Sequence, residues 1–238
     1  MPLIRSHRLT SEDLAAWEEA SRGDLLHAAS LGPKIERAMD ELERFVADGP
    51  CYVSVSWGKD SVVVADLAMR AGVHAPLVWV RTDPIANPEC LPVRDAFLAL
   101  HPGARYHEIR VEFDRYERGA AASGGFTLAA EMVGASRYVT GIRSDESNDR
   151  ARRHRIWGHS SPGTCAPISL WSALDVFAYL ALYDLPIAAV YAMTMGGRLS
   201  RERLRVSALM TQRGDGMGKR DWEERYFSDV RAQLERDP

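Results

Sequence analysis

The chain has 238 residues, 46% of them hydrophobic, which suits one α/β domain with a smaller appendage and supplies a real core. A net charge of −3 excludes a global positive field that would gather nucleic acid or an anionic membrane, leaving only local basic patches open. No apolar run reaches the length of a membrane span, and an N-terminus bearing Arg5, Arg8, Glu12 and Asp13 does not read as a secretory leader, so a cytoplasmic protein without membrane partners is expected.

Residues 9–28 read as a helix, with Thr10 and Asp13 resembling a capping box and Leu14, Trp17 and Leu25 giving an apolar side. Ile35, Met39, Leu42 and Val46 predict a second helix over 33–47, ended by Asp48-Gly49-Pro50. Residues 1–48 therefore form a helical extension. The period then changes. Cys51–Val55 is a short strand that runs into Ser56–Ser61 (SWGKDS) and an apolar helix, Val62–Met69, closed by Gly72. Leu77–Arg81 is a second strand, followed by a polar turn at Thr82-Asp83-Pro84. A helix over 91–100, a strand over 106–111, a short helix over 128–134 and a strand over 137–141 follow. Ser169–Leu182 is amphipathic, and Arg198–Thr211 is expected to be a further helix. The segments 114–127, 143–166 and 212–221 are rich in Gly, Ser, Arg and Asp and read as loops. Alternating strands and helices predict a doubly wound, mainly parallel, Rossmann-like sheet over 49–195. Residues 196–238 are expected to pack on that same domain as helix and loop.

The strand–loop–helix unit at Ser56–Ser61 has the makings of an anion site, because loop amides and the helix N-terminus converge on a bound phosphate. Gly58 lets the backbone approach, Lys59 supplies a charge, and Ser56 and Ser61 supply hydroxyls. Asp60 is unusual in such a site; it fits a role in holding Mg²⁺ against phosphates or in capping the helix. Trp57 either covers the phosphates or packs under the loop. The alternative for the whole segment is a solvated turn. Neither GxxxxGK[ST] nor GxGxxG is present. Lysine is scarce, at Lys34, Lys59 and Lys219 only, so one inside this loop carries weight.

SWGKDS after an apolar strand resembles the PP-loop, written SGGxDS, of the adenine nucleotide α-hydrolase superfamily, with Trp57 in place of a glycine. Three further stretches resemble its phosphoadenylylsulfate (PAPS) reductase-like branch. Arg81-Thr82-Asp83 is similar to the family's DTG corner, with Pro84 for glycine. Gly141–Ser147 (GIRSDES) with Arg150 is similar to GxRxxES…R, and Pro167–Tyr191 is similar to P…W…DVW.Y…LP…Y. The resemblance implies ATP, with Mg²⁺, lying across the carboxyl edge of the sheet. Its adenine would rest on backbone near Val80, Arg81, Thr82 and Asp83, and its phosphates over Ser56, Trp57, Gly58, Lys59, Asp60 and Ser61. Gly141, Arg143 and Arg150 would face the phosphates or an anionic second substrate, and Glu146 would fix one of the arginines. The implied activity is ATP cleavage between the α- and β-phosphates to adenylate an unknown acceptor, as in sulfur insertion; DNA phosphorothioation systems use proteins similar to this one. A sulfur-donor protein, nucleic acid and a second copy of the chain stay open as partners.

Two rivals remain. PAPS reductases carry a C-terminal ECGxH whose cysteine attacks the sulfonate, and this chain has no cysteine after Cys165. A reductase reading then needs a thiol from elsewhere. The other rival is a non-catalytic nucleotide-binding subunit of a phage or defence complex. Cys165, next to an arginine-rich loop, is either a sulfur carrier or an inert cysteine; Cys51 and Cys90 read as structural. His154 and His159 lack a carboxylate pattern for zinc. Arg152, Arg153 and Arg155 are either a solvated basic face or a backbone contact for nucleic acid.

Overall fold

The computed structural model describes residues 3–112, 120–206, 208–209 and 219–236. Five strands form one parallel sheet: β1 (Cys51–Ser54), β2 (Leu77–Asp83), β3 (Tyr106–Glu112), β4 (Arg137–Val139) and β5 (Thr164–Cys165), in the order β3-β2-β1-β4-β5. Val53 pairs with Leu77 on one side of β1 and with Val139 on the other. The chain thus winds outward from β1 to β3, then returns to continue on the opposite side at β4. The crevice between the carboxyl ends of β1 and β4 is the topological switch point, where open α/β sheets hold ligands.

Both faces are covered, as a parallel sheet requires. Helices α3 (Gly32–Ala47), α4 (Lys59–Arg70), α5 (Cys90–Leu100) and α8 (Ala173–Leu182) share the large core with Val53, Leu77 and Trp79. On the opposite face Ala129 of α6 (Ala120–Val133) packs with Tyr52, Val78 and Ile109, the alternate residues of the same strands. In α3 the buried residues Ile35, Ala38, Leu42 and Phe45 form one stripe. α4 is buried nearly all round, from Val62 to Ala68.

The segment expected as one N-terminal helix is two, α1 (Ser11–Ser21) and α2 (Asp24–Ala28), parted at Arg22-Gly23. Asp24 is fully buried there and holds Arg201 through two hydrogen bonds of 2.5 and 2.9 Å. The Thr10–Asp13 capping box is present, and Asp13 also accepts from the Gly196 amide and the Tyr226 hydroxyl. α9 (Lys219–Arg236), which carries Tyr226, is thereby tied to α1. No helix of the described residues is long and apolar enough to cross a membrane.

Other boundaries moved. β2 runs on through Asp83, so the corner read as a turn at Thr82 begins two residues later, at Pro84. Residues 143–166 are not a loop throughout: a helical turn (Ser144–Glu146), α7 (Asn148–Trp157) and β5 lie inside them. α6 begins at Ala120, within the stretch 114–127 read as loop. The helix expected over Arg198–Thr211 is absent from its described part, which is turns at 198–203 and irregular chain at 204–206; Ser207 and residues 210–211 lie outside the described residues, as do 113–119 and 212–218.

Candidate functional site

β1 delivers the chain to the switch point, where it turns sharply. Trp57 takes a left-handed backbone, φ 60°, and Gly58 is extended ahead of α4. Ser61 holds the turn shut: its hydroxyl accepts from the Ser56 amide at 3.2 Å and donates to the Gly58 carbonyl at 3.0 Å. The Lys59 amide donates to the Tyr191 hydroxyl at 2.9 Å. The N-cap residue Gly58 has no side chain to cap α4, and beyond the Lys59 amide held by Tyr191 the amides of Trp57, Gly58, Asp60 and Ser61 have no acceptor among the described residues. A helix N-terminus left open in this way favours an anion. Gly58 sits in a close approach: a Cβ there would stand 3.0 Å from the Tyr191 oxygen, which would have to give. Trp57 does not cover the loop. It is fully buried beneath it, its ring centroid 5.6 Å from those of both Phe97 and Tyr106.

β4 brings the second half of the site. Gly141 lies so close to α4 that a Cβ would sit 2.8 Å from the Asp60 carbonyl carbon. This approach lets Arg143 reach the loop. Its Nε donates to Asp60 Oδ1 at 2.5 Å, and its Nη1 donates to Asp145 at 2.5 Å and to the Trp171 carbonyl at 3.2 Å. Lys59 Nζ takes the other Asp60 oxygen at 2.8 Å and lies over the Tyr191 ring. Lys59 and Arg143 are both only 2% exposed, so two cations are withdrawn from water and share one carboxylate. Burial lowers the Lys59 pKa; Asp60 opposes this, while Arg143 and Arg205 add to it. Glu146 collects the rest of the cluster, accepting from the Arg143 amide at 3.2 Å and from Arg150. Arg150 is pushed below its ordinary value by burial and then by Arg205 and Arg143. A site where cations depress one another is short of negative charge.

Residues 126–196 match the family model described as the phosphoadenosine phosphosulfate reductase domain. Over that segment the chain is similar to the PAPS reductase domain. Among solved structures, the phosphoadenylyl-sulfate (PAPS) reductase of Candida auris, in a phosphate complex, is similar with a TM-score of 0.50 and 15% identity, over 68% of this chain and 88% of that one. The NMN synthetase of Francisella tularensis matches with a TM-score of 0.49 and 12% identity, over 84% of this chain and 87% of that one. No curated protein matches the chain. The five-stranded parallel sheet with flanking helices is similar in fold to that PAPS reductase. The matched segment contains Gly141, Arg143, Arg150 and Tyr191; the loop Ser56–Ser61 lies before it.

The carboxyl end of β2, neighbour to β1, brings Val80, Arg81, Thr82 and Asp83 to the same edge. Arg81 pairs with Asp83 at 2.7 Å and with Glu108 at 3.4 Å. Val80 abuts α6, where a Cβ on Gly125 would meet its side chain at 2.4 Å. Cys165 corrects the sulfur-carrier expectation. It lies in β5, not in a loop, with no exposure, and burial raises its thiol to about 11; a carrier needs an accessible thiolate. Cys51 and Cys90 are also buried with raised thiols. Asp60 was expected to meet Mg²⁺, and both its oxygens carry cations here. No cluster of three or more His, Cys, Asp or Glu suits a metal among the described residues. The donors therefore fit only an ion that arrives on phosphates and borrows one carboxylate. His159 bonds Ser169 at 2.7 Å and Arg37 at 3.1 Å, a structural arrangement. Sequence reading gave no role to Tyr191, which caps the loop, or to Arg205, which it placed in a helix.

Proposed function

We propose that the chain binds ATP at the α4 N-terminus and transfers its adenylyl group to an oxygen of a second substrate, releasing pyrophosphate. One observation carries this reading: a helix start with open amides at Gly58, Asp60 and Ser61 lies beside two buried cations, Lys59 and Arg143, at the switch point of a parallel α/β sheet. Phosphates placed there would meet the amides of Gly58 and Asp60 and take over charges now held by Asp60. When the acceptor oxygen attacks the α-phosphorus, the electron pair of the breaking P–O bond leaves with pyrophosphate, and Lys59 and Arg143 offset that charge. Mg²⁺ bound to the phosphates, with Asp60 as its protein ligand, would supply further neutralisation. The adenylated oxygen then becomes a good leaving group for sulfur or nitrogen.

The family match favours a second reading, release of sulfite from PAPS. Three buried cysteines weigh against it within this chain, since that chemistry needs an attacking thiol. The test is α-labelled ATP with Mg²⁺, run beside PAPS. AMP or an adenylated product is expected, and Lys59→Ala or Arg143→Ala should each lower its formation about 10²-fold or more. ADP as the product, or sulfite from PAPS with ATP untouched, would overturn the assignment.

A further inference from the structure

Beyond the family-matched segment, residues 204–206 and 208–209 lie across the phosphate loop as a strap. Leu204 and Leu209 are buried anchors, and the Leu209 amide donates to the Ile85 carbonyl at 2.8 Å, just past β2. The Val206 side chain stands 3.6 Å from where a Gly58 Cβ would be. Arg205, the residue before it, reaches across to β4's loop. Its Nη2 donates to the Glu146 carbonyl at 2.9 Å, and its Nε lies 3.8 Å from Glu146 Oε1, while Arg150 holds Oε2. Four cations, Lys59, Arg143, Arg150 and Arg205, thus face three carboxylates, Asp60, Asp145 and Glu146. Glu146 is nearly buried, whereas the Arg205 side chain is half exposed.

Resting on the adenylyl-transfer reading, we infer that Arg205 and Arg150 grip the β- and γ-phosphates, and hence the departing pyrophosphate, with the Glu146 carboxylate standing in for that anion in the free protein. The strap places Val206 beside Gly58 and Arg205 next to it, turned to Glu146, so that its charge would act on the far end of a chain of phosphates whose near end rests on α4. Binding exchanges one anionic partner for another: Glu146 gives up its arginines, and the phosphate oxygens accept their N–H groups. Arg205 is then a substrate-binding residue supplied from outside the sheet.

The probe is inorganic pyrophosphate, titrated calorimetrically into the full chain beside AMP, which carries only the α-phosphate. Arg205→Ala should weaken pyrophosphate and ATP roughly tenfold to a hundredfold while sparing AMP, the span expected for a lost charge-assisted contact. Arg205→Lys should fall between. Glu146→Gln, its folding checked by its far-UV circular dichroism and melting temperature, should tighten pyrophosphate several-fold, because the competing anion is gone. If Arg205→Ala weakens AMP and pyrophosphate alike, or neither, the inference is wrong and adenylyl transfer still stands. If the wild-type chain converts ATP to AMP and yet binds no pyrophosphate, the same holds. If it neither binds nor cleaves ATP, both readings fall together.

Discussion

Trp57 offers a sharp test because two opposing effects act at one residue. Its indole is fully buried against Phe97 and Tyr106, and its backbone sits at φ 60°. Removing the ring should cost about 3–5 kcal/mol in lost burial and cavity, the range for large aromatic deletions. A left-handed backbone on a residue with a Cβ costs about 1–2 kcal/mol, and glycine escapes it. Glycine in turn loses about 0.5–1 kcal/mol more chain entropy on folding than alanine does. Trp57→Gly should therefore be destabilised by about 2.5–4 kcal/mol, and Trp57→Ala by about 0.5–1 kcal/mol more, reversing the usual order of these two residues. Urea unfolding midpoints measure both, and the melting temperature of the glycine variant should drop roughly 5–15 °C. A glycine variant as stable as wild type, but unable to bind nucleotide, would show that the indole faces the ligand and that its packing role is misjudged.

Gly141→Ala should lower stability by about 1–3 kcal/mol and weaken ATP binding in the same titration, since its Cβ has only the backbone of Asp60 to displace. Cys165 should resist iodoacetamide in the native protein at pH 8 and react after denaturation, and Cys165→Ser should keep ATP cleavage; native labelling or loss of turnover would restore a role in sulfur transfer. Burial alone would raise the Asp175 pKa, but hydrogen bonds from Lys34, His27 and Ser172 bring it down to about 2. A carboxyl lowered on folding stabilises above its unfolded value near 3.8 and loses that contribution as pH falls towards 2. Stability should therefore fall by about 2 kcal/mol across that window through this group, and Asp175→Asn should flatten that part of the acid limb.

Four of the five strands were legible, β1 and β2 most plainly as short apolar runs bounded by Gly and Pro, while β5 was read as loop; the phosphate loop was legible because its residues are phosphate chemistry in sequence form. Arg143 was legible for the same reason, following a strand that ends at the switch point. What failed was settled by distant contacts. α7 has no apolar stripe, so its arginine-rich sequence read as loop; the Ser147 hydroxyl accepting the Arg150 amide starts it. The break at Arg22-Gly23 exists because Asp24 turns inward to Arg201, far away in sequence. Trp57's burial depends on Phe97 and Tyr106, which no local pattern announces. Cys165 stayed open between carrier and inert cysteine because nothing local shows that Tyr138 and Val139 pair with Thr164 and Cys165 and make a strand of them. Arg205 sits among other arginines and has no spacing that sets it apart; only the strap's return to Ile85 does so.

The carboxylate of Asp13 has an architectural corollary. It is a rivet driven through both termini, holding the Gly196 amide and the Tyr226 phenol while Asp24, a few residues on, clasps Arg201. A version trimmed back to the sheet at either end would strand those buried groups without counterparts, at the foot of the segment that leads to Arg205. Residues that never approach the nucleotide crevice thus act as its scaffolding, and shortening the protein from the front should loosen the arm that arrives from the back.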